Sequence, residues 1–280
     1  MAYTFAHGTG TAADPYLVET ADDLNGVRDY LDAHFKQMAD IDLSAYENWE
    51  PIGEDADGKR FTGIYDGNRY TVNNLMINTT NHYKGLFGVC DTATINNLGV
   101  MNANIQGGNQ GAVLVGKCTS STLTNCYTTG NVRGLSNIGG LVGYNHTSKI
   151  TNCYSMANVT GTNNQSGGLV GYSISSSIIE NCYSTGNVTG YNYCGGFVGC
   201  NHTSKITNCY SIGAVSANKY FSGFVGYIYS STIISSYYDS ETSGYSDTGK
   251  GTPKTTAEMK QQETFAGWDF DTVWAMDSSI

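Results

Sequence analysis

Proline and charge are what this chain uses least. Three prolines occur in 280 residues, and Asp, Glu, Lys and Arg together make up only 14%. Acids are nearly missing from the middle: fourteen lie in residues 1–83, two (Asp91 and Glu180) in 84–221, and eight in 222–280. Six basic residues accompany those two acids, so the net charge of -10 belongs to the ends. A nucleic-acid footprint, which clusters Lys and Arg on one face, is excluded. No apolar run approaches the roughly eighteen residues of a membrane span. The start, "MAYTFAHGTGTAADPY", lacks the basic and apolar regions of a signal peptide. The eight cysteines include no C-x-x-C pair, which removes the commonest zinc and redox signatures.

What is abundant is glycine, at 35 residues, with Ser, Thr, Asn and 21 tyrosines, and 40% of the chain is hydrophobic. That mixture supplies a core and favours β-structure with many tight turns over helices or disorder. "VGYNHTSKITNCYS" at 142–155 returns as "VGCNHTSKITNCYS" at 198–211. A catalytic motif is needed once, so the repetition argues for architecture. Gly-apolar-apolar-Gly recurs as "GLFG" at 85–88, "AVLVG" ending at Gly116, "GGLVG" at 139–143 and 167–171, "GGFVG" at 195–199 and "SGFVG" at 222–226, at intervals of 27 or 28 residues. A second apolar column follows at Leu123, Ile150, Ile178 or Ile179, Ile206 and Ile233. Each unit reads as about three short β-prone pieces, the coil of a β-solenoid whose strands pair with their copies about 4.8 Å away.

Matching "VNNL" at 72–75 and "INNL" at 95–98 to "LTNC" at 123–126 builds a column of Leu75, Leu98, Cys126, Cys153, Cys182, Cys209 and Ser236. Leu exchanging with Cys marks an inward, small apolar position and predicts buried free thiols. Cys90 with Cys118, and Cys194 with Cys200, are the candidate disulfides. The Asn before each inward residue (Asn74, Asn97, Asn125, Asn152, Asn181, Asn208) is predicted to turn the chain at a left-handed or bulged corner and to form a ladder. Tyr127, Tyr154, Tyr183 and Tyr210 follow the inward cysteines, while Met76 and Gly99 hold that place earlier, so the row is read as outward. Stacked tyrosines can grip a sugar chain or a protein partner, or simply pack coil against coil.

Solenoid ends need covering. "TADDLNGVRDYLDAHF" offers Thr20 and Asp23 as a capping box, with Leu24, Val27, Tyr30 and Leu31 on one helical face. Asp66-Gly67 predicts a hairpin-type turn. "TTAEMKQQETF" predicts a short helix starting at Thr255 or Thr256, and Trp268, Phe270 and Trp274 are placed over the last coil. The expected division is an N-terminal cap with an amphipathic helix over 1–60, the solenoid over 61–245 and a C-terminal cap over 246–280. The natural protein is expected to continue beyond Ile280.

The repeated "GGLVGY" and "ITNCYS" segments strongly resemble the GLUG motif, named for Gly, Leu, any hydrophobic residue, and Gly. Together with the preceding cap-like segment, the resemblance spans nearly the whole chain. It implies an extracellular β-solenoid module of bacterial and archaeal cell-surface proteins, including adhesin-like proteins and the non-catalytic portions of some secreted peptidases. "GAVLVGK" departs from the double-glycine form and puts local strand geometry in question. Ser235-Ser236 replaces Asn-Cys in the last coil.

Enzymatic chemistry is the competing reading, because carbohydrate-active enzymes also use parallel β-helices. Hydrolysis or elimination needs clustered carboxylates, and Asp91 and Glu180 are more than three coils apart. His146 and His202 lie in identical "NHTSK" segments two coils apart, read as exposed polar corners. "EDADGKR" at 54–60 lacks the acids that complete a calcium loop and reads as an exposed turn. The expected molecule is therefore mainly β, a parallel β-helix of about seven coils with an N-terminal α/β cap and a short C-terminal cap. It is expected to be monomeric, secreted or surface-borne, and non-enzymatic. It acts as adhesin or rigid stalk, or else as an accessory region of a secreted peptidase or carbohydrate-active enzyme. No cofactor, metal, nucleic acid or membrane insertion is expected, and the partner is a host or environmental glycan or protein.

Overall fold

A computed structural model describes residues 2–276. Their strands form a parallel β-solenoid of about seven turns. Four sheets of nine, six, thirteen and four strands run along it; the nine-, six- and four-stranded sheets advance one coil per strand, while the thirteen-stranded sheet takes two strands from several coils. The nine-stranded sheet starts with Tyr16–Val18 and His34–Gln37, so the chain enters the parallel pairing well before residue 61. The four-stranded sheet begins only at Ile138–Gly139, so later coils carry more strands than the three expected.

Register follows the period. Tyr65, Ile95, Leu123, Ile150, Ile179, Ile206 and Ile233 fall in one file. Ile179 is fully buried while Ile178 is exposed, which settles the one ambiguous member of that column. Val115, Val142, Val170, Val198 and Val225 form the matching file of the second sheet. Glycine is required beside that file: a Cβ on Gly140 would lie 2.0 Å from Ser155 Oγ and 2.2 Å from the Gly168 carbonyl oxygen. The hydroxyls of Thr128, Ser184 and Ser211 donate to the carbonyls of Gly140, Gly196 and Gly223 at 2.6–3.1 Å. In the "GAVLVGK" coil, Val113 stands where Gly140 stands one coil later, and Val100 stands below Thr128. The hydroxyl donor is replaced by a buried apolar side chain, the Val113 carbonyl accepts from the Leu86 N–H at 3.0 Å, and the register passes through unbroken.

The inward cysteines are as expected at Cys126, Cys153, Cys182 and Cys209, with Leu98 below them. Their file also carries hydrogen bonds from coil to coil. The backbone N–H of Cys126 donates to Cys153 Sγ at 3.3 Å, that of Cys153 to Cys182 Sγ at 3.4 Å, and that of Cys209 to Ser236 Oγ at 3.2 Å. Ser236 thus continues the file by the same bond. All eight cysteines are free and buried, so the proposed Cys90–Cys118 and Cys194–Cys200 disulfides are absent. Burial in apolar surroundings pushes the Cys118 thiol up to about 12 and the Cys194 thiol up to about 11.

The corner asparagines turn the chain through left-handed φ of 52–55° at Asn97, Asn125, Asn152, Asn181 and Asn208. Asn125 donates to Asn97 at 2.9 Å, Asn181 to Asn152 at 3.3 Å and Asn208 to Asn181 at 3.4 Å. The first coil departs from the expected alignment. Thr71 pairs with Gly99 and Val72 with Val100, which removes Leu75, Asn74 and Met76 from the files of Leu98, Asn97 and Gly99. Asn74 is left-handed too, but bonds Asp42. Nor does Asp66-Gly67 make a hairpin: Ile64–Asp66 and Thr71–Asn73 belong to different sheets, each paired with strands a coil away.

Thr20 caps helix Ala21–Gly26 in a reciprocal box with Asp23. The helix is six residues followed by a 3-10 turn at Val27–Asp29, shorter than its pattern implied, with Leu24 and Val27 buried against the first strands. Thr255 caps Thr256–Met259 in the same way with Glu258.

Candidate functional site

The tyrosine row is a true file. Tyr127, Tyr154, Tyr183 and Tyr210 pair in register, and Tyr237, which the sequence reading leaves out, continues them. Consecutive rings from Tyr127 to Tyr210 stack at 5.0, 4.6 and 4.9 Å with interplanar angles of 9°, 4° and 4°. The rings lie face to face because identical residues repeat at the coil spacing. The file starts on Gly99, where a Cβ would sit 2.4 Å from Tyr127 Cζ. The lowest ring therefore rests against bare backbone, and its hydroxyl lies 4.0 Å from Met101 Sδ.

The other end of the file is covered by the C-terminal arm. Trp268 donates its indole N–H to the Ser235 carbonyl at 2.9 Å, and its ring centroid lies 4.4 Å from that of Trp274. Trp274 does not close the last coil. It lies back along the side, 5.7 Å from Tyr210 and 6.1 Å from Tyr183. Phe265 and Trp268 pack on Tyr237 at 5.5 and 6.0 Å. Burial raises the phenol pKa of Tyr127, Tyr154 and Tyr183, and lifts Tyr210 to about 12, so the row is neutral over the ordinary pH range. Between the arm, the Asn corners and Tyr154, Tyr183 and Tyr210 runs a cleft of about 430 Å³. The ring faces lie between their neighbours, and the four tyrosines are only partly exposed.

The other sequence candidates remain apart. Asp91 pairs with Arg60 at 3.2 Å, and Glu180 with Lys149 at 3.9 Å, on different sheets and coils. His146 and His202 are separated in their file by Ile174. Beside them, Asn145 and Asn201 are fully buried rather than exposed corners. Strand alternation turns them inward, into the file of Cys90, Cys118 and Ser173. The "EDADGKR" turn is exposed but tethered, with Asp55 held by Arg60 at 3.3 Å and Lys117 at 3.0 Å. A cleft of about 720 Å³ opens there among charges of both signs. Among the described residues no group of three or more His, Cys, Asp or Glu could hold a metal ion, and no helix is long and apolar enough to cross a membrane.

A second aromatic group escapes the sequence reading. Tyr193, Tyr220 and Tyr227 meet at the last two coils, with centroids 5.1, 5.2 and 6.5 Å apart. The available signal is the residue preceding Cys194-Gly195-Gly196 and Phe221-Ser222-Gly223, which is Tyr where the two preceding coils carry Asn137 and Gln165.

Comparison with known proteins agrees with this geometry. The chain matches the GLUG motif family at residues 134–160, 162–189 and 190–216. It is 33% identical to a Gly-rich protein of Evansella cellulosilytica that carries a provisional membrane-protein name, over 98% of this chain and 45% of the relative. It is 35% identical to Halomucin of Haloquadratum walsbyi over 47% of this chain and 2% of the relative. The chain thus spans less than half the length of either curated relative. Among solved structures, a candidate immunoglobulin A1 protease from Bacteroides ovatus shares the fold at TM-score 0.76 and 22% identity, covering 95% of this chain and 91% of the other. An IgA1 protease structure matches at TM-score 0.56 and 16% identity, over 85% of this chain and 21% of that one. With three motif matches falling on coils whose register continues to both sides, this chain is a GLUG-motif repeat protein built as a parallel β-solenoid.

Proposed function

We propose that the chain is a non-enzymatic extracellular module of a larger cell-surface protein, serving as a rigid stalk. The observation that carries this reading is the unbroken register of the nine-stranded sheet, one strand per coil from Tyr16–Val18 to Thr232–Ile234. Eight steps at about 4.8 Å give a rod of roughly 40 Å with no internal hinge. The tyrosine row fits the same role: its rings join coil to coil, and the arm locks three of the coils together. The names of the two curated relatives, a membrane protein and Halomucin, support a place at the surface. Against catalysis stands the separation of the two mid-chain acids, each ion-paired with a base of the adjacent coil.

The test of place is antibody labelling, with serum raised against the purified chain, of intact and permeabilised cells of the source organism. Labelling of intact cells is expected. Signal confined to permeabilised cells would overturn the surface reading, and turnover of any polysaccharide abolished by Asp91→Ala or Glu180→Ala would overturn the non-enzymatic one.

A further inference from the structure

We propose that Tyr220, Tyr193 and Tyr227, extended by Tyr229, form a binding platform for a short neutral oligosaccharide. The first support is a backbone anomaly. One corner file of the solenoid is left-handed in every coil: Tyr83, Gln110, Asn137, Gln165, Tyr193 and Tyr220, with φ between 51° and 57°. Asn visits this region readily because its short amide bonds the local backbone, whereas an aromatic side chain gains no such compensation. The central coils accordingly use Gln, Asn and Gln, and the exceptions are tyrosines. Tyr83 is explained by its surroundings, with the Lys117 ammonium 5.4 Å above its ring and the Asp55 carboxylate bonding its hydroxyl. Tyr193 and Tyr220 have no comparable anchor and contact chiefly aromatic neighbours. A costly conformation kept at two successive coils, with its packing confined to a group of surface rings, points to a role at the surface.

Exposure is the second support. Tyr220 is 58% exposed, the most of any large apolar residue among those described, and Tyr229 is 51% exposed. Tyr227 and Tyr229 project from the same side of strand Val225–Tyr229, about 7 Å apart. Tyr229 is stacked on His202 at 4.6 Å and 12°. From Tyr220 to Tyr227 is a further 6.5 Å, so the rings make a shallow track across the coil.

Chemistry selects the occupant. Ring faces carry partial negative charge and attract the C–H-rich faces of pyranose rings. Asn218, exposed two residues before Tyr220, supplies an amide suited to sugar hydroxyls. Both acids of the middle region lie on other strands, Phe87–Asp91 and Ile178–Glu180, Lys219 adjoins the rings in sequence, and Lys250 and Asp247, which reach Gly226 and Ser222 beside the rings, are paired with each other at 3.8 Å. That setting suits an uncharged ligand. A stable protein interface needs on the order of 800 Å² per partner, more than this narrow track of rings offers.

The experiment uses the purified chain with short neutral oligosaccharides of the gluco, xylo, manno and N-acetylglucosamine series, and alginate oligomers as the anionic comparison. Binding is read by calorimetry and tyrosine fluorescence. Tyr193→Asn and Tyr220→Asn introduce the residue type tolerated at this corner in the central coils, so the variant keeps its fold while losing the rings. At least one neutral series should bind the unaltered chain. The double variant should weaken that binding by more than about tenfold, with unchanged or higher thermal stability, and Met76→Ala at an exposed site in the first coil should bind normally. Binding that survives the double variant, preference for alginate, or no binding by any neutral series would each overturn the proposal.

Discussion

Two groups of tyrosines ride on the same solenoid and do opposite things with the same side chain. From Tyr127 to Tyr210 the rings stack face to face, beginning on the Gly99 backbone and ending under the tilted ring of Trp268, with Trp274 along the side. Tyr193 and Tyr220 stack at 14°, but no further strand continues the pile: the strand of Tyr220 is the last of its sheet, and Tyr220 faces solvent. The closed row sits at ordinary extended positions beside an inward cysteine. The open group sits at left-handed corners where Asn or Gln is the less strained residue. Coil repetition alone therefore does not decide what a repeated aromatic contributes. The coil after it and the segment folded over it decide.

The comparison is open to attack by mutation, beginning with the closed row. Tyr183→Ala removes a ring held between two others and against Trp274, and should cost about 2–4 kcal/mol of stability in denaturant titration. A loss near zero would mean the stack is decoration. Gly99→Val pushes a side chain into Tyr127 and should cost about 1–3 kcal/mol, seen as a lower melting temperature with tyrosine fluorescence altered at the base of the row. Alkali should act on the same row. Because burial lifts the folded Tyr210 phenol to about 12 from its ordinary 10, the folded state holds its proton longer than the unfolded one. Stability is then fully present below pH 10 and falls as pH rises toward 12. A flat stability curve across that window would contradict the burial. The smallest effect, and one of opposite sign, belongs to the open group: Tyr220→Asn should leave stability unchanged or raise it by up to about 1 kcal/mol.

Much of this architecture can be read from the letters, for physical reasons that also explain the failures. The 27–28-residue period, the inward cysteines and the left-handed asparagines are legible because each coil must solve the same packing and turning problem with the same residues. The first coil is misaligned by sequence because "VNNL" mimics "INNL" locally, while pairing is decided between coils, where Val72 meets Val100. Asp66-Gly67 looks like a hairpin because turn chemistry is local and cannot tell a corner from a reversal. Asn145 and Asn201 are misplaced because a polar residue beside histidine reads as surface, whereas strand alternation points them into the core. The row Tyr127–Tyr210 is found by repetition. The group at Tyr193 and Tyr220 is missed because its signal is a break in a file, Tyr after Asn137 and Gln165, whose meaning depends on the left-handed corner dihedrals.

Residue-by-residue nitration with tetranitromethane, read by peptide mass spectrometry on the native and then the denatured chain, tests the contrast most directly. Tyr220, Tyr227 and Tyr229 should react rapidly in the native protein, while Tyr154, Tyr183 and Tyr210 should stay unmodified until unfolding separates their rings. Equal native rates in the two groups, or faster reaction at Tyr183 and Tyr210, would contradict the account.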